Sequence, residues 1–277
     1  MNTRVRTALI ALVVLAPFLI FSGTFMIEIF TITLSCIGTF EILKCLRFEK
    51  KYSVSIPTYI LSGFVPVLSR RIESTDLFFK ILFFLFFLYM FYLMVVSVFS
   101  KGKIIINDIA LAYIMVIYII FSFSCIILLR DVKYGQYIFL LIFISAWMTD
   151  VGAYAIGRPF GRHKLIPDVS PNKTIEGAIG GIVVCILSFC LYGFIIGIIF
   201  DATPQFVPLI ILGFVMAVIS QCGDLIASLI KRKYSIKDYG DVFPGHGGVM
   251  DRFDSIIATA PFLFMIYTAI PYFEIFF

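Results

Sequence analysis

Long apolar runs constrain this chain more than any other feature. They recur along most of its length, and several reach about 17 residues or more, enough for a helix to cross a bilayer core of roughly 30 Å. A backbone in lipid must satisfy its own hydrogen bonds, so helices or closed barrels are the available spanning elements. The alternation of apolar and polar residues that marks a barrel strand is missing. A mean hydropathy of +1.05 and a charged fraction of 14% exclude an ordinary soluble globule. The expected fold is all-α: a polytopic transmembrane helical bundle of about nine spans, with a polar active site on the cytoplasmic side.

The first apolar stretch, 7–43, is too long for one span and is expected to break at Ser22-Gly23-Thr24. Arg4 and Arg6 ahead of it resemble the start of a signal peptide. No A-x-A-like cleavage site follows and more spans come at once, so an uncleaved first helix is expected. Further spans are expected at 54–68 (with Pro57 and Pro66 as kink sites), 78–99, 109–129, 137–156, Ile175–Phe200, 206–230 and from 253 towards 273. The Phe- and Leu-rich fourth span reads as lipid-facing. Spans one to five, residues 1–133, form one expected domain, and residues 134–277 a second that carries the chemistry.

The net charge of +5 is spread over short loops, where basic residues set orientation. With the N-terminus inside, Lys44, Arg47, Lys50, Lys51, Lys101, Lys103 and the basic residues of 158–174 and 231–252 are cytoplasmic. Arg70, Arg71, Lys80, Arg130 and Lys133 lie outside, as does Phe277. No basic tract is interleaved with aromatics, so nucleic acid is not an expected partner. The six cysteines form no CxxC pair, which argues against a zinc site or a disulfide framework.

The chain changes character at its sixth span. Trp147, Asp150, Tyr154 and Gly157 share one helical stripe, and a carboxylate inside a membrane helix is a functional candidate. The polar loop 158–174 follows, with Arg158, Arg162, Lys164 and Lys173. Gly157 and Gly161 are expected to let its backbone approach a ligand. Ser170-Pro171 reads as a helix start, which puts Lys173 in a first turn, where a cation opposes the helix dipole and suggests a bound anion. Gly177 and Gly181 make a G-x-x-x-G packing face. Gln221, Asp224, Ser228 and Lys231 form a second polar stripe. Beyond it, 228–254 is the densest polar block of the chain and includes the turn Pro244-Gly245-His246-Gly247-Gly248. Asp238 and Asp241 read as solvated loop charges or lysine partners. His246 either shapes the turn or touches phosphate.

These residues point to a type of reaction. Asp150, Asp224, Asp251 and Asp254 supply hard oxygen donors suited to Mg2+. Arg158, Arg162, Lys164, Lys173, Lys231, Lys237 and Arg252 supply cations for phosphate. Together they read as phosphoryl or nucleotidyl transfer at the cytoplasmic interface, where stabilising charge on phosphates matters more than a protein nucleophile. No Walker A, G-x-S-x-G or H-E-x-x-H sequence is present. A transporter or channel would need polar groups through the depth of the membrane; here they gather on one side.

Ser228-x-x-Lys231-Arg232, Lys237-Asp238 and Pro244-Gly245-His246-Gly247-Gly248-Val249-x-Asp251-Arg252-Phe253-Asp254 closely resemble the signature of the phosphatidate cytidylyltransferase (CDP-diacylglycerol synthase) family. Trp147-x-x-Asp150-x-x-Ala153-Tyr154-x-x-Gly157-Arg158, Gly161-x-x-Lys164-Leu165-x-Pro167, Ser170-Pro171-x-Lys173-Thr174-x-Glu176-Gly177 and Gln221-x-Gly223-Asp224 resemble further blocks of it. The resemblance covers 147–254; the N-terminal half is similar only in hydropathy. It implies transfer from CTP to phosphatidate in the bilayer, with Mg2+ and, as an option, a second cation. The nucleophile is then the substrate's own phosphate oxygen. It further implies catalytic roles for Lys173, Ser228, Lys231, Lys237, His246 and Arg252. Substrate contacts fall to Asp150, Arg158, Lys164, Ser170, Gly247, Gly248 and Asp254, and metal ligation to Asp224 and Asp251. The implied setting is a cell inner membrane, with a homodimer as an option. The alternatives are a related CTP-dependent membrane lipid kinase and an ether-lipid cytidylyltransferase.

Overall fold

A computed structural model describes residues 16–201, 203–243, 245 and 247–269. Helices dominate: α1 (Met26–Cys45), α2 (Tyr52–Arg71), α3 (Thr75–Phe99), α4 (Ile106–Asp131), the short α5 (Gly135–Ile138), α6 (Leu140–Phe160), α7 (Ile175–Phe200), α8 (Phe206–Lys233) and α9 (Met250–Ala269). Two strands, β1 (Lys164–Ile166) and β2 (Ser170–Thr174), pair antiparallel between α6 and α7. Among the described residues, seven helical stretches are long and apolar enough to cross a membrane. They match the second to eighth expected spans. Most of the first expected span, and the end of the ninth, lie outside the described residues. The break near Ser22 is present: residues 21–25 form turns, in which the Thr24 hydroxyl donates to the Phe21 carbonyl at 2.7 Å.

The chain forms two compact units. One holds residues up to 136 together with 234–253; the other holds 137–233 and the chain from 254. In the first unit α1, α2 and α4 pack on one another and α3 lies against α2 and α4. Small hydroxyls let these helices approach closely in a membrane. Thr31 and Thr39 of α1 satisfy themselves on carbonyls of their own helix, and Thr58 bonds Tyr89 at 2.6 Å. Both prolines of α2 lie within the helix. The outer side of α3 exposes Phe83, Phe84, Phe87, Phe91, Val98 and Phe99, the lipid-facing surface expected of it. At one end of this unit the buried Glu28 receives Arg70 at 3.3 Å and Arg71 at 3.1 Å, and Arg70 also reaches Asp131 at 3.2 Å. Arg70 and Arg71, two of the basic residues expected outside the cell, are thus balanced by carboxylates.

The second unit is built on α6 and α7, which lie close because glycines line their seam. A methyl on Gly152 would sit 2.7 Å from Val184, and one on Gly181 would sit 2.7 Å from the Thr149 carbonyl. The G-x-x-x-G expectation holds, since Gly177 and Gly181 both face α6. Ile179, Val183, Leu187, Leu191 and Phe194 leave an apolar stripe of α7 exposed. Helix α8 packs on α6 and α7. The part of α9 from residue 254 onward packs on α8, with the Ser255 hydroxyl donating to the Ser220 carbonyl at 3.0 Å.

One expectation about local structure is overturned. Ser170-Pro171 does not begin a helix; it opens β2. Helix α7 starts at Ile175, and its cap is Thr174, whose backbone is extended (φ −125°, ψ 154°) and whose Oγ1 accepts the Gly177 N–H at 3.1 Å. Pairing of Ile166 with Ser170 and of Lys164 with Thr174 holds the preceding residues extended. Glu176, in the first turn of α7, closes the base of the hairpin by accepting the backbone N–H of Arg162 at 3.1 Å and of His163 at 3.2 Å.

Candidate active site

In the second unit, β2 carries Lys173 to α8. Its Nζ lies 2.5 Å from Asp224 Oδ2, with each side chain 28% exposed. Ser228, one turn further along α8, donates its hydroxyl to Asp224 Oδ1 at 3.3 Å. The polar stripe read on this helix is therefore real, and Gln221 anchors it by donating to the Ala178 carbonyl of α7 at 3.1 Å. Asp254 lies within electrostatic reach of Asp224, Asp150 and Lys231. Three carboxylates and two lysines from four elements thus share one neighbourhood. Lys173 is not in a helical first turn, so no opposing dipole calls for an anion there. Its charge is met by the Asp224 carboxylate.

The other expected residues of this unit have partners of their own. Arg158, at the end of α6, donates to the Tyr154 hydroxyl at 2.8 Å and stacks over its ring. Lys164 bonds the Pro171 carbonyl across the hairpin at 2.6 Å, and Ser170 is held in the ladder. Gly157 and Gly161 serve packing. A methyl on Gly157 would lie 3.1 Å from the Gly177 Cα, and one on Gly161 would lie 2.7 Å from Thr174 Oγ1. Two contacts escaped the sequence reading. Arg232 Nε donates to the Val169 carbonyl at 3.2 Å, tying the hairpin to the end of α8, and His163 Nδ1 sits 2.6 Å from Glu176. The signal for the second was present: His163 is one of two histidines in the chain.

In the first unit, the described residues of 234–249 form a loop with one isolated bridge, Phe243 to Gly247. Lys237, Asp238 and Asp241 are exposed, as solvated charges are. Tyr234 donates to Asp108 at 2.9 Å, and burial together with that carboxylate pushes its hydroxyl up to about 12. Asp251 is buried at the start of α9, and its Oδ2 accepts the Tyr239 N–H at 2.7 Å and the Gly248 N–H at 3.0 Å. Gly247, at φ +86°, turns the chain where any side chain would be strained and would press on Asp251. Arg252 is exposed. Pro244 and His246 lie outside the described residues. The sequence reading also missed Glu41 of α1. Its carboxylate accepts the N–H of Val249 at 2.9 Å and of Met250 at 2.8 Å. A carboxylate inside an apolar run was the available signal.

No three Asp, Glu, His or Cys side chains among the described residues stand close enough to hold a metal ion by themselves. The donors are all carboxylate oxygen, however, and Mg2+ is ordinarily bound by one or two carboxylates, with substrate phosphates and water supplying the rest. Asp224 with Asp254 nearby fits that demand in chemistry.

Residues 2–270 match the cytidylyltransferase family, and the chain belongs to that family. Its relatives include the phosphatidate cytidylyltransferase of Bacillus subtilis (strain 168), 32% identical over 275 residues that cover 96% of this chain and 97% of the relative. The proteins of the same name from Staphylococcus saprophyticus and Staphylococcus haemolyticus are 33% and 32% identical over 267 and 263 residues. Each alignment covers 95% of this chain and 97% of the relative. The similarity therefore extends through the N-terminal helices, where the sequence motifs are silent.

Proposed function

We propose that the chain transfers the cytidylyl group of CTP to phosphatidate, giving CDP-diacylglycerol and pyrophosphate. The observation that carries this reading is the Lys173–Asp224 pair. It joins two separate sequence motifs in a unit that otherwise consists of membrane helices. A phosphate oxygen of phosphatidate, already anionic near neutral pH, attacks the α-phosphorus of CTP. The bond from that phosphorus to the bridging oxygen breaks, and the charge leaves on pyrophosphate. No serine or cysteine nucleophile is required.

This chain's residues have two tasks in such a reaction: to hold two polyanions together and to offset charge as it moves to the leaving group. Lys173, Lys231, Arg158 and Lys164 supply cations, and Asp224 holds Lys173 in place before substrate arrives. Bound Mg2+ would polarise the phosphates and offset their charge. Asp224 and Asp254 are the proposed carboxylates for it, with Asp251 a separate candidate. The lipid tails stay in the bilayer while the phosphate reaches the interface, which explains a catalytic unit made of spanning helices. The basic loops favour a site that faces the cytoplasm.

The test is turnover by purified protein in detergent with radiolabelled CTP and phosphatidate. The expected products are labelled CDP-diacylglycerol and pyrophosphate. Label transferred from the γ-position of a nucleotide to lipid would identify a lipid kinase and overturn the reading.

A further inference from the structure

Glu41 is 1% exposed and lies in an apolar membrane helix, where an unused carboxylate is costly. Both of its oxygens are engaged, and both partners are backbone. Oε1 accepts the N–H of Val249 at 2.9 Å and Oε2 the N–H of Met250 at 2.8 Å, the first groups of α9. A helix start leaves such N–H groups without intrahelical partners, and a carboxylate there is favoured by hydrogen bonding and by the helix dipole. The cap thus comes from 208 residues away in sequence.

The glycines of the loop fit the same carboxylate. A Cβ on Gly240 or on Gly248 would collide with Glu41 Oε1. Asp251 completes the arrangement by accepting the N–H groups of Tyr239 and Gly248. Two carboxylates therefore collect four backbone N–H groups of 239–250, a segment whose described residues show one isolated bridge and no ladder. Glu28, on the same helix, makes an instructive contrast. It is also buried, but its partners are the side chains of Arg70 and Arg71 of α2.

We propose that Glu41 is a positioning residue of the transfer reaction: its carboxylate caps the first backbone N–H groups of α9 and so sets the placement of Asp251 and Arg252. The proposal rests on the cytidylyltransferase reading above. Glu41 touches no substrate; it acts through the loop and the helix start. Gln at this position keeps the shape but offers one acceptor oxygen where two are used. Asp keeps both oxygens and the charge but is shorter by one methylene.

Glu41→Gln, Glu41→Asp, Gly240→Ala and Glu28→Gln are each purified in detergent, and turnover, thermal unfolding and backbone hydrogen exchange are measured. Both Glu41 variants and Gly240→Ala are expected to lose kcat by about tenfold or more, with KM for CTP within about threefold of wild type. Exchange should quicken in 239–252 while unfolding shifts by only a few degrees. Glu28→Gln is expected to unfold earlier and keep its kcat. Wild-type kcat and KM in both Glu41 variants would overturn the proposal. So would a loss of kcat in Glu28→Gln equal to that in Glu41→Gln. If every Glu41 and Gly240 variant fails to elute as folded protein, the residue is a folding element and the positioning role is wrong. If the wild type makes no CDP-diacylglycerol, the cytidylyltransferase reading fails, whereas quicker exchange in 239–252 of Glu41→Gln would still report the cap.

Discussion

Asp224→Asn separates the structural from the chemical role of the central ion pair. Asn keeps the shape of Asp and removes the charge that holds Lys173 Nζ at 2.5 Å. Both partners are 28% exposed, which places the pair between two regimes. Exposed pairs are worth about 0–1 kcal/mol, and severing a buried one costs about 3–5 kcal/mol. A stability loss of about 1–2 kcal/mol is expected, visible as a shift of a few degrees in Tm. Activity should fall much further, because removing one preorganised electrostatic group from a transfer site typically costs about 10²–10³ in kcat. The assay is CDP-diacylglycerol formation across a range of Mg2+ concentrations, with size-exclusion elution in detergent as the folding control. EDTA should mimic the variant, and added Mg2+ should restore only the wild type. The double variant with Lys173→Ala should lose little beyond either single change, since each breaks the same unit. A swapped pair, Lys173→Asp with Asp224→Lys, should recover part of the stability and none of the turnover. Recovery of turnover by the swap would show that the pair is only a brace. Near-wild-type turnover of Asp224→Asn at low Mg2+ would refute its role as a ligand.

Other changes have equally definite outcomes. Asp251→Asn places an amide where one carboxylate oxygen accepts two backbone N–H groups. It should abolish product and cost about 1–3 kcal/mol of stability, measured by thermal unfolding beside turnover. Thr174→Val removes the cap of α7 and should cost about 1 kcal/mol; an unchanged Tm would show that Gly177 finds another partner. Gly152→Leu forces a side chain into the seam with Val184 and Gly180 and should lower extraction as folded protein, by about 1–3 kcal/mol in stability. CTP and dCTP should serve as substrates and ATP should not, read by competition in the turnover assay. Single cysteines placed at 50 and 103 in a cysteine-free background should be labelled from the cytoplasmic side, and labelling of 50 only from outside would reverse the orientation.

The gap between what was legible and what was not follows a physical line. Seven spans could be read because hydropathy is local: a run of apolar residues must find lipid or protein wherever it lies. The stripe from Gln221 to Lys231 could be read because helical period places i, i+3, i+7 and i+10 on one face, whatever the helix packs against. Ser170-Pro171 was misread because its local chemistry suits a helix start as well as a strand. What chose between them was pairing with 164–166 and the Thr174 cap on Gly177. Glu41 went unnoticed because a hydropathy window averages one carboxylate away, and nothing near it in sequence names its partners.

Composition and motif thus settled the polytopic helical class and the type of chemistry its polar groups suit, since each depends on residue type and short-range period. Folding alone settled which charges meet. It set Lys173 on Asp224, grouped 234–253 with the N-terminal helices, and brought Glu41 to backbone N–H groups more than two hundred residues away. Such pairings depend on where helices pack, and packing is fixed by the glycine seams and buried hydroxyls of the whole bundle instead of by any short stretch of sequence.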